Sequence, residues 1–386
     1  MRLIGYKLRS IFGTTSSNLV SSARLQGEQV KSNSLANIII IGLLLIWINP
    51  GLLAQNLNEG NDSLVIESNI FDTDNPIYCS LEFNIKEFRK DKFKDKKIPA
   101  ILTYFKTDSD TISKEIHIEA RGESRKKICF FPPIKLRLKN TSFDDPYLDQ
   151  VKNQKLVTHC NSSKDYEEYL LKEYLTYKLF NILTEVSYRV QLMKIDYIDS
   201  KDKVKPVTRY AFLIEHTKIL AERNDCLQIK SENLGMKHVE KTSMILFSMF
   251  QYMIGNVDWS IAGTHNIKLL KSKDFTQELP FVVPYDFDHA GLVNTSYAVN
   301  VRDPEIASVR TRVFDGMCYS EEDYAAVIQE FIKHKNDFYR EINSFDLLPA
   351  STKKDIISYL DNFYKLIDQA NFYKRFVLST CQKTNN

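Results

Sequence analysis

The hydrophobic period of this chain changes once, near Glu215, and that change constrains the fold more than any single motif does. From Leu64 to about Glu215 the runs IPAILTYFK, EIHIEARG, PPIKLRLK, YRVQLMKIDYID and VTRYAFLIE alternate apolar with polar residues. Charged or Pro-bearing turns separate them, which predicts a series of short strands. One helix is expected among them: in SSKDYEEYLLKEYLTYKLFNILTE a Ser162-x-x-Asp165 capping signal precedes Leu170, Tyr174, Tyr177, Phe180 and Leu183 at helical spacing. Beyond Glu215 the period becomes helical. MKHVEKTSMILFSMFQYMIGN sets Val239, Leu246, Met249, Phe250 and Met253 along one side and stops at Gly255-Asn256. SEEDYAAVIQEFIKHKNDFYREI and STKKDIISYLDNFYKLIDQANFYKRF read as further amphipathic helices opened by Ser caps.

At 386 residues and 43% hydrophobic, the chain can bury one large core or two moderate ones. Residues 1–54 stand apart. They carry Arg2, Lys7, Arg9, Arg24 and Lys31 against Glu28, then an apolar run from Ile38 to Ile48, then the small residue Ala54. The run is short of the ~20 residues of a membrane span, and the parts are those of a secretory signal peptide with a long basic region. A single N-terminal anchor is the alternative. An exported chain with no stable membrane span after signal removal is expected. Without residues 1–54 the charge is close to balanced, which argues against nucleic acid as a partner. Six cysteines lie beyond the signal without C-x-x-C or His-x-x-x-His spacing, so zinc is not expected. Export would let them pair, in an order the sequence leaves open, or they are buried as small hydrophobes.

A β-rich segment 55–220 with one main helix, a hinge near residues 215–230 and a helical segment 221–386 form the α+β, bilobal plan of protein kinases. The chain also resembles the spore-coat CotH-type kinase family, an atypical, exported group of the protein-kinase-like superfamily. The resemblance lies in ARGESR (120–125), PPIKLRLK (132–139), YLLKEYLTYKLF (169–180), RYAFLIE (209–215), GNVDWS (255–260), HNIKLL (265–270) and VPYDFDHAG (283–291), in that order. It implies a kinase using ATP with Mg²⁺ or Mn²⁺ on hydroxyls of secreted or surface proteins. It also implies a catalytic Asp258, a metal-binding Asp286, Asn266 as the amide on a second metal, and Asp288 as a further ligand.

The residues themselves suit that chemistry. Phosphoryl transfer needs carboxylate and amide oxygens for a hard cation, and protein cations for the phosphates. Asp286 and Asp288 follow the apolar run Phe281-Val282-Val283, and residues two apart in an extended segment face one way, with Gly291 freeing the backbone beyond. Asp258 sits just past a helix stop, in a turn that presents its side chain. Its distance to Asn266 exceeds the usual kinase spacing and calls for a longer loop. No G-x-G-x-x-G loop exists. In its place Gly122 and Ser124 would supply backbone and hydroxyl donors, and Arg121 and Arg125 would supply charge. Lys135 and Arg137 alternate with Ile134, Leu136 and Leu138, and Lys135 is the expected phosphate lysine. Glu173, on an apolar helix face, is expected to pair with it. Each acidic residue has an ordinary alternative as a turn former. A catalytically weak, pseudokinase-like surface or scaffold protein and a metal-dependent phosphoesterase are the competing functions, the latter with too few carboxylates for a two-metal site.

Overall fold

Two strands that the hydrophobic pattern did not single out decide the architecture. The computed structural model describes residues 69–105, 110–230, 234–302, 305–306 and 308–382, so the expected signal peptide lies outside the described residues. The anticipated runs form β2 (Ile98–Phe105), β3 (Thr111–Ala120), β4 (Ile134–Arg137), β6 (Val190–Asp199) and β7 (Val207–Ile214). The additional strands are β1 (Ile77–Phe83) and β5 (Asn153–Val157). β5 bridges β4 and β7, and β1 pairs antiparallel with β2 and parallel with β6, setting Leu81 opposite both Leu102 and Tyr197. The ring closes in the order β1-β2-β3-β4-β5-β7-β6. This overturns the α+β bilobal kinase-like plan: the strand-rich half is a closed seven-stranded barrel. Alternation fixes which face of a strand is buried but not which strand lies beside it, and closure depends on the latter.

Inward positions of the barrel are filled by Leu81, Ile118, Ile134, Leu156, Ile195 and Leu213, all buried. They leave an apolar cavity of only about 20 Å³. The barrel is thus a packed core, as expected where few strands enclose a narrow interior.

Three helices interrupt the strands: α1 (Ile85–Lys90), α2 (Glu123–Ile128) and α3 (Lys164–Leu183). α3 is the anticipated helix, but its cap is Ser163, which makes no side-chain bond to the first turn. It is sheathed by Leu170, Tyr174, Leu175, Leu179 and Phe180, all buried in a core shared with the C-terminal helices. Where a hinge was expected, α4 (Thr217–Arg223) is followed by β8 (Cys226–Ile229). β8 is not a linker. It pairs with β9 (Ile267–Ser272), which pairs with β10 (Phe281–Pro284), giving a separate three-stranded antiparallel sheet.

α5 (Lys241–Ile254) ends where the sequence predicted, at Gly255, which takes the left-handed conformation with φ 66°. The long C-terminal pattern divides at His334 into α6 (Glu321–Lys333) and α7 (Lys335–Ser344), and α8 (Ala350–Ile367) follows. Ser320 caps α6 by accepting from the amide of Asp323, whereas α8 begins at Pro349 without a side-chain cap bond. Disulfides join Cys129 to Cys160 and Cys318 to Cys381, and Cys79 and Cys226 are buried free thiols. No helix among the described residues is long and apolar enough to cross a membrane.

Two loops meet beneath α8. The amide of Gly291 donates to the carbonyl of Gly255 at 2.9 Å, and the Tyr359 hydroxyl, which donates to the carbonyl of Arg310, lies over both glycines. A Cβ on Gly291 would come within 2.5 Å of the Val309 carbonyl and 2.7 Å of the Tyr359 hydroxyl. Gly291 is therefore needed for close approach, whereas its φ is ordinary and the expected backbone freedom is not its role. Gly291→Ala is expected to lower stability by about 1–3 kcal/mol, as overpacking does, measured by denaturant unfolding.

Candidate functional site

Helices inserted between the barrel strands and the segment after the small sheet bring charged side chains to one locality. At its centre is Arg125, on α2, whose side chain is buried and turned inward. Its NH2 group lies 2.6 Å from Glu173 Oε2 and 3.3 Å from Asp286 Oδ1, and its Nε lies 2.9 Å from Asp288 Oδ2. Burial works against the charge on Arg125, but Asp288 and Glu173 outweigh it and hold the guanidinium firmly protonated. Burial pushes the Glu173 carboxyl up to about 8, opposed by Arg125 and reinforced by the two aspartates. Asp286 is likewise raised, by the protein packed around its carboxyl and then by the charge of Asp288, although one side of it remains open to solvent. Three carboxyl groups thus crowd one guanidinium, and the upward shifts of Glu173 and Asp286 follow from that crowding in a buried place.

Local structure accounts for this convergence. Glu173 and Tyr177 lie four residues apart on α3 and so share a face. The Tyr177 hydroxyl accepts from the amide of Asp286 at 2.8 Å, and its ring meets that of Phe287 edge-on. Asp286 itself is left-handed, with φ 65°. Asp286 and Asp288 both reach Arg125, and the segment that carries them is not the extended strand that was expected. Asp288 Oδ2 also accepts from the Tyr297 hydroxyl at 3.1 Å, and the residue is buried.

The second turn adjoins the first across the β9–β10 hairpin, where the amide of Tyr285 donates to the carbonyl of Asn266. Asn256 accepts from the amide of Asp258 and shapes the turn after α5. Asp258 Oδ1 lies 2.9 Å from His265 Nε2, while Asn266 Nδ2 donates to the Asp258 carbonyl at 2.8 Å and to Oδ2 at 3.1 Å. Ser260 and His265 exchange backbone hydrogen bonds, so the long Asp258-to-Asn266 segment folds as a miniature hairpin. That arrangement accommodates the extra residues.

The cations are distributed differently from the sequence expectation. Arg125, expected at the phosphates, is consumed by the acids. Lys135 binds Glu119 at 2.6 Å, and Arg137 binds the same carboxylate, so the expected Lys135–Glu173 pair does not form. Both are on β4, and Glu119 on the adjoining strand is simply nearer. Gly122 caps α2 with φ 82°, and Ser124 lies exposed on that helix. Arg121 makes no ion pair among the described residues. Burial lowers its affinity for a proton, and Asp286 opposes that effect.

The residue missed is Lys155. It lies on β5 opposite Lys135, with its Nζ 4.8 Å from the centre of the Tyr285 ring, while Lys268 approaches that ring at 5.1 Å. Burial, with help from Arg121 and Lys268, pulls the Lys155 ammonium down to about 7. The available signal was a lysine within QKLV directly before the helix bearing Glu173, but one five-residue strand beginning Asn-Gln-Lys does not stand out by alternation.

Among the described residues no group of three or more His, Cys, Asp or Glu is placed to hold a metal ion. Mg²⁺ needs fewer protein ligands, because it retains waters and shares substrate phosphates. Asp286, with its side chain 38% exposed, and the adjacent Asn266 fit that requirement. Among the described residues the buried Oε1 of Glu173 has no hydrogen-bond partner, as suits a carboxyl that burial pushes towards its protonated form. No protein-family model matches the chain, and no curated protein matches it.

Removing the shared guanidinium would leave buried carboxylates unpaired. Arg125→Ala is expected to destabilise the fold by about 3–5 kcal/mol, read from denaturant unfolding. Lys155 gives a pH signature. Its folded pKa lies near 7 against the ordinary 10.5, so the unfolded chain binds the extra proton between these values. Its contribution therefore makes stability rise as pH climbs from about 7 to about 10. Lys155→Met should flatten that rise, seen as a stability difference between the two proteins that changes sign or size across unfolding curves at neutral and alkaline pH.

Proposed function

We propose that the chain is an exported phosphotransferase that uses ATP with Mg²⁺ or Mn²⁺ to phosphorylate hydroxyl groups of secreted or surface proteins. The observation that carries this reading is the gathering of Asp258, Asn266 and Asp286 at one hairpin beside Arg121 and Lys155, neither of which has an ion-pair partner among the described residues. The order of the motifs that resemble the CotH-type kinases supports it, and the two disulfides are compatible with export.

Asp286 and the side-chain oxygen of Asn266 would hold the divalent cation, which when bound neutralises phosphate charge. Arg121 and Lys155 would bind the phosphates. An anion near Lys155 would favour its charged form, so the lysine would take up a proton as the nucleotide arrives. Asp258 would orient the acceptor hydroxyl and accept its proton, with its carboxylate held by His265 and Asn266. Arg125 acts one step back: it fixes Asp286 relative to α3 through Glu173.

One observation favours the second reading, a binding module without turnover. Arg125 already supplies positive charge to the acid cluster, so the fold does not require a metal to hold those carboxylates together. The two readings separate in one assay. The purified chain is incubated with γ-labelled ATP and either metal, with phosphate incorporation into itself and into a generic Ser/Thr-rich protein as the readout. Metal-dependent incorporation is expected, and Asp286→Ala should reduce it by roughly 10²-fold or more while the melting temperature stays close to that of the parent chain. ATP binding without incorporation would favour the module, and absence of both would sink the phosphotransferase.

A further inference from the structure

A surface outside the acid cluster is also unusually composed. Residues 86–97, which include most of α1 and the turn after it, hold seven basic residues against three acidic ones. The end of α2 and the residues after it adjoin this segment. Lys92 Nζ donates to the carbonyl of Cys129 at 2.8 Å and lies 5.2 Å from the Phe93 ring centre. The Arg89 guanidinium stacks on Phe130 at 3.3 Å, and Lys126 bonds Asp95 at 2.5 Å. The two segments therefore form one continuous face. On it Phe93 is 59% exposed and Phe130 53% exposed, beside the part-exposed Ile128.

The acids of this face are already engaged: Glu87 and Asp91 by Lys96, Asp91 also by Lys94, and Asp95 by Lys126. Lys90, Lys97 and Lys127 are exposed and make no ion pair among the described residues. Unbalanced cations around exposed aromatic rings present both charge and apolar area to a partner. We infer that this face docks an acidic segment of a partner protein, one that carries apolar side chains between its carboxylates.

The chemistry favours such a segment over an anionic bilayer. Arg89 stacks on Phe130 and Lys92 lies 5.2 Å from the Phe93 ring centre, so inserting either ring into a bilayer would draw a cation in with it. The interspersed Asp91, Asp95 and Glu123 would be repelled by a uniformly negative surface, whereas a discrete acidic segment can place its charges between them. The face is also pre-shaped, because the Cys129–Cys160 disulfide fixes the stretch before Phe130. Identifying the partner as a phosphoacceptor rests on the proposed function, since α2 carries Arg125 inward and Lys126 and Lys127 outward, but the docking face itself does not.

The test is nucleotide-free binding of a fluorescein-labelled peptide alternating glutamate with phenylalanine, followed by anisotropy over a salt series with the whole chain. Saturable binding that weakens with salt is expected. The triple variant Lys90→Glu, Lys97→Glu and Lys127→Glu should bind about tenfold or more weakly. The pair Phe93→Ser and Phe130→Ser should weaken binding that persists at high salt. All five positions are exposed, and unchanged thermal melting confirms that loss of binding is not loss of fold. No saturable binding, or equal binding by the variants, would overturn the inference. So would capture of phosphatidylserine–phosphatidylcholine vesicles by a chain that ignores the peptide, which would assign the face to a membrane surface. Because no nucleotide is present, a chain that binds the peptide yet transfers no phosphate refutes the enzymatic reading alone.

Discussion

One buried guanidinium organises the part of this molecule where its acidic turns meet. Arg125 is reached by a carboxylate from α3 and by two from the segment after β10, so three chain regions far apart in sequence are fixed to a single group. Buried charges are costly unless paired and hydrogen-bonded, and this arrangement meets that condition with geometry that tolerates little displacement. The same cluster holds Asp286 next to Asn266, because Tyr177 and the β9–β10 hairpin anchor the adjoining backbone. The disulfide between Cys129 and Cys160 reinforces it, since one cysteine caps α2 and the other lies just before α3.

Much of the local structure was legible. The alternating runs became β2, β3, β4, β6 and β7, and Gly255 ended α5, because alternation and a left-handed stop are properties of adjacent residues. The barrel was not legible. β1 and β5 are mixed in composition, and their part in closing the ring depends on neighbours over a hundred residues away for β1. The same distinction applies to the cations. Lys135 and Lys155 both fit a strand pattern, but only cross-strand placement shows that Glu119 occupies the former while the latter lies against Tyr285. Arg125 read as a charge offered to phosphates from a loop, whereas that segment is a short helix that buries Arg125.

The longer interval between Asp258 and Asn266 has a clear structural form. A two-residue backbone exchange at Ser260 and His265 folds the surplus length outward, and Asn266 returns to bond the carboxylate it left eight residues earlier. The excursion also brings in His265, so the added residues contribute a hydrogen bond as well as length.

The meeting of Gly255 and Gly291 under Tyr359 ties the two acidic turns to a helix near the end of the chain. During synthesis the ribosome delivers Asp258 and Asp286 well before it delivers α8. A nascent chain stopped short of α8 would carry both turns without the wedge that presses them together. The pinning of the two turns against each other would then come only once α8 has emerged and folded over the paired glycines.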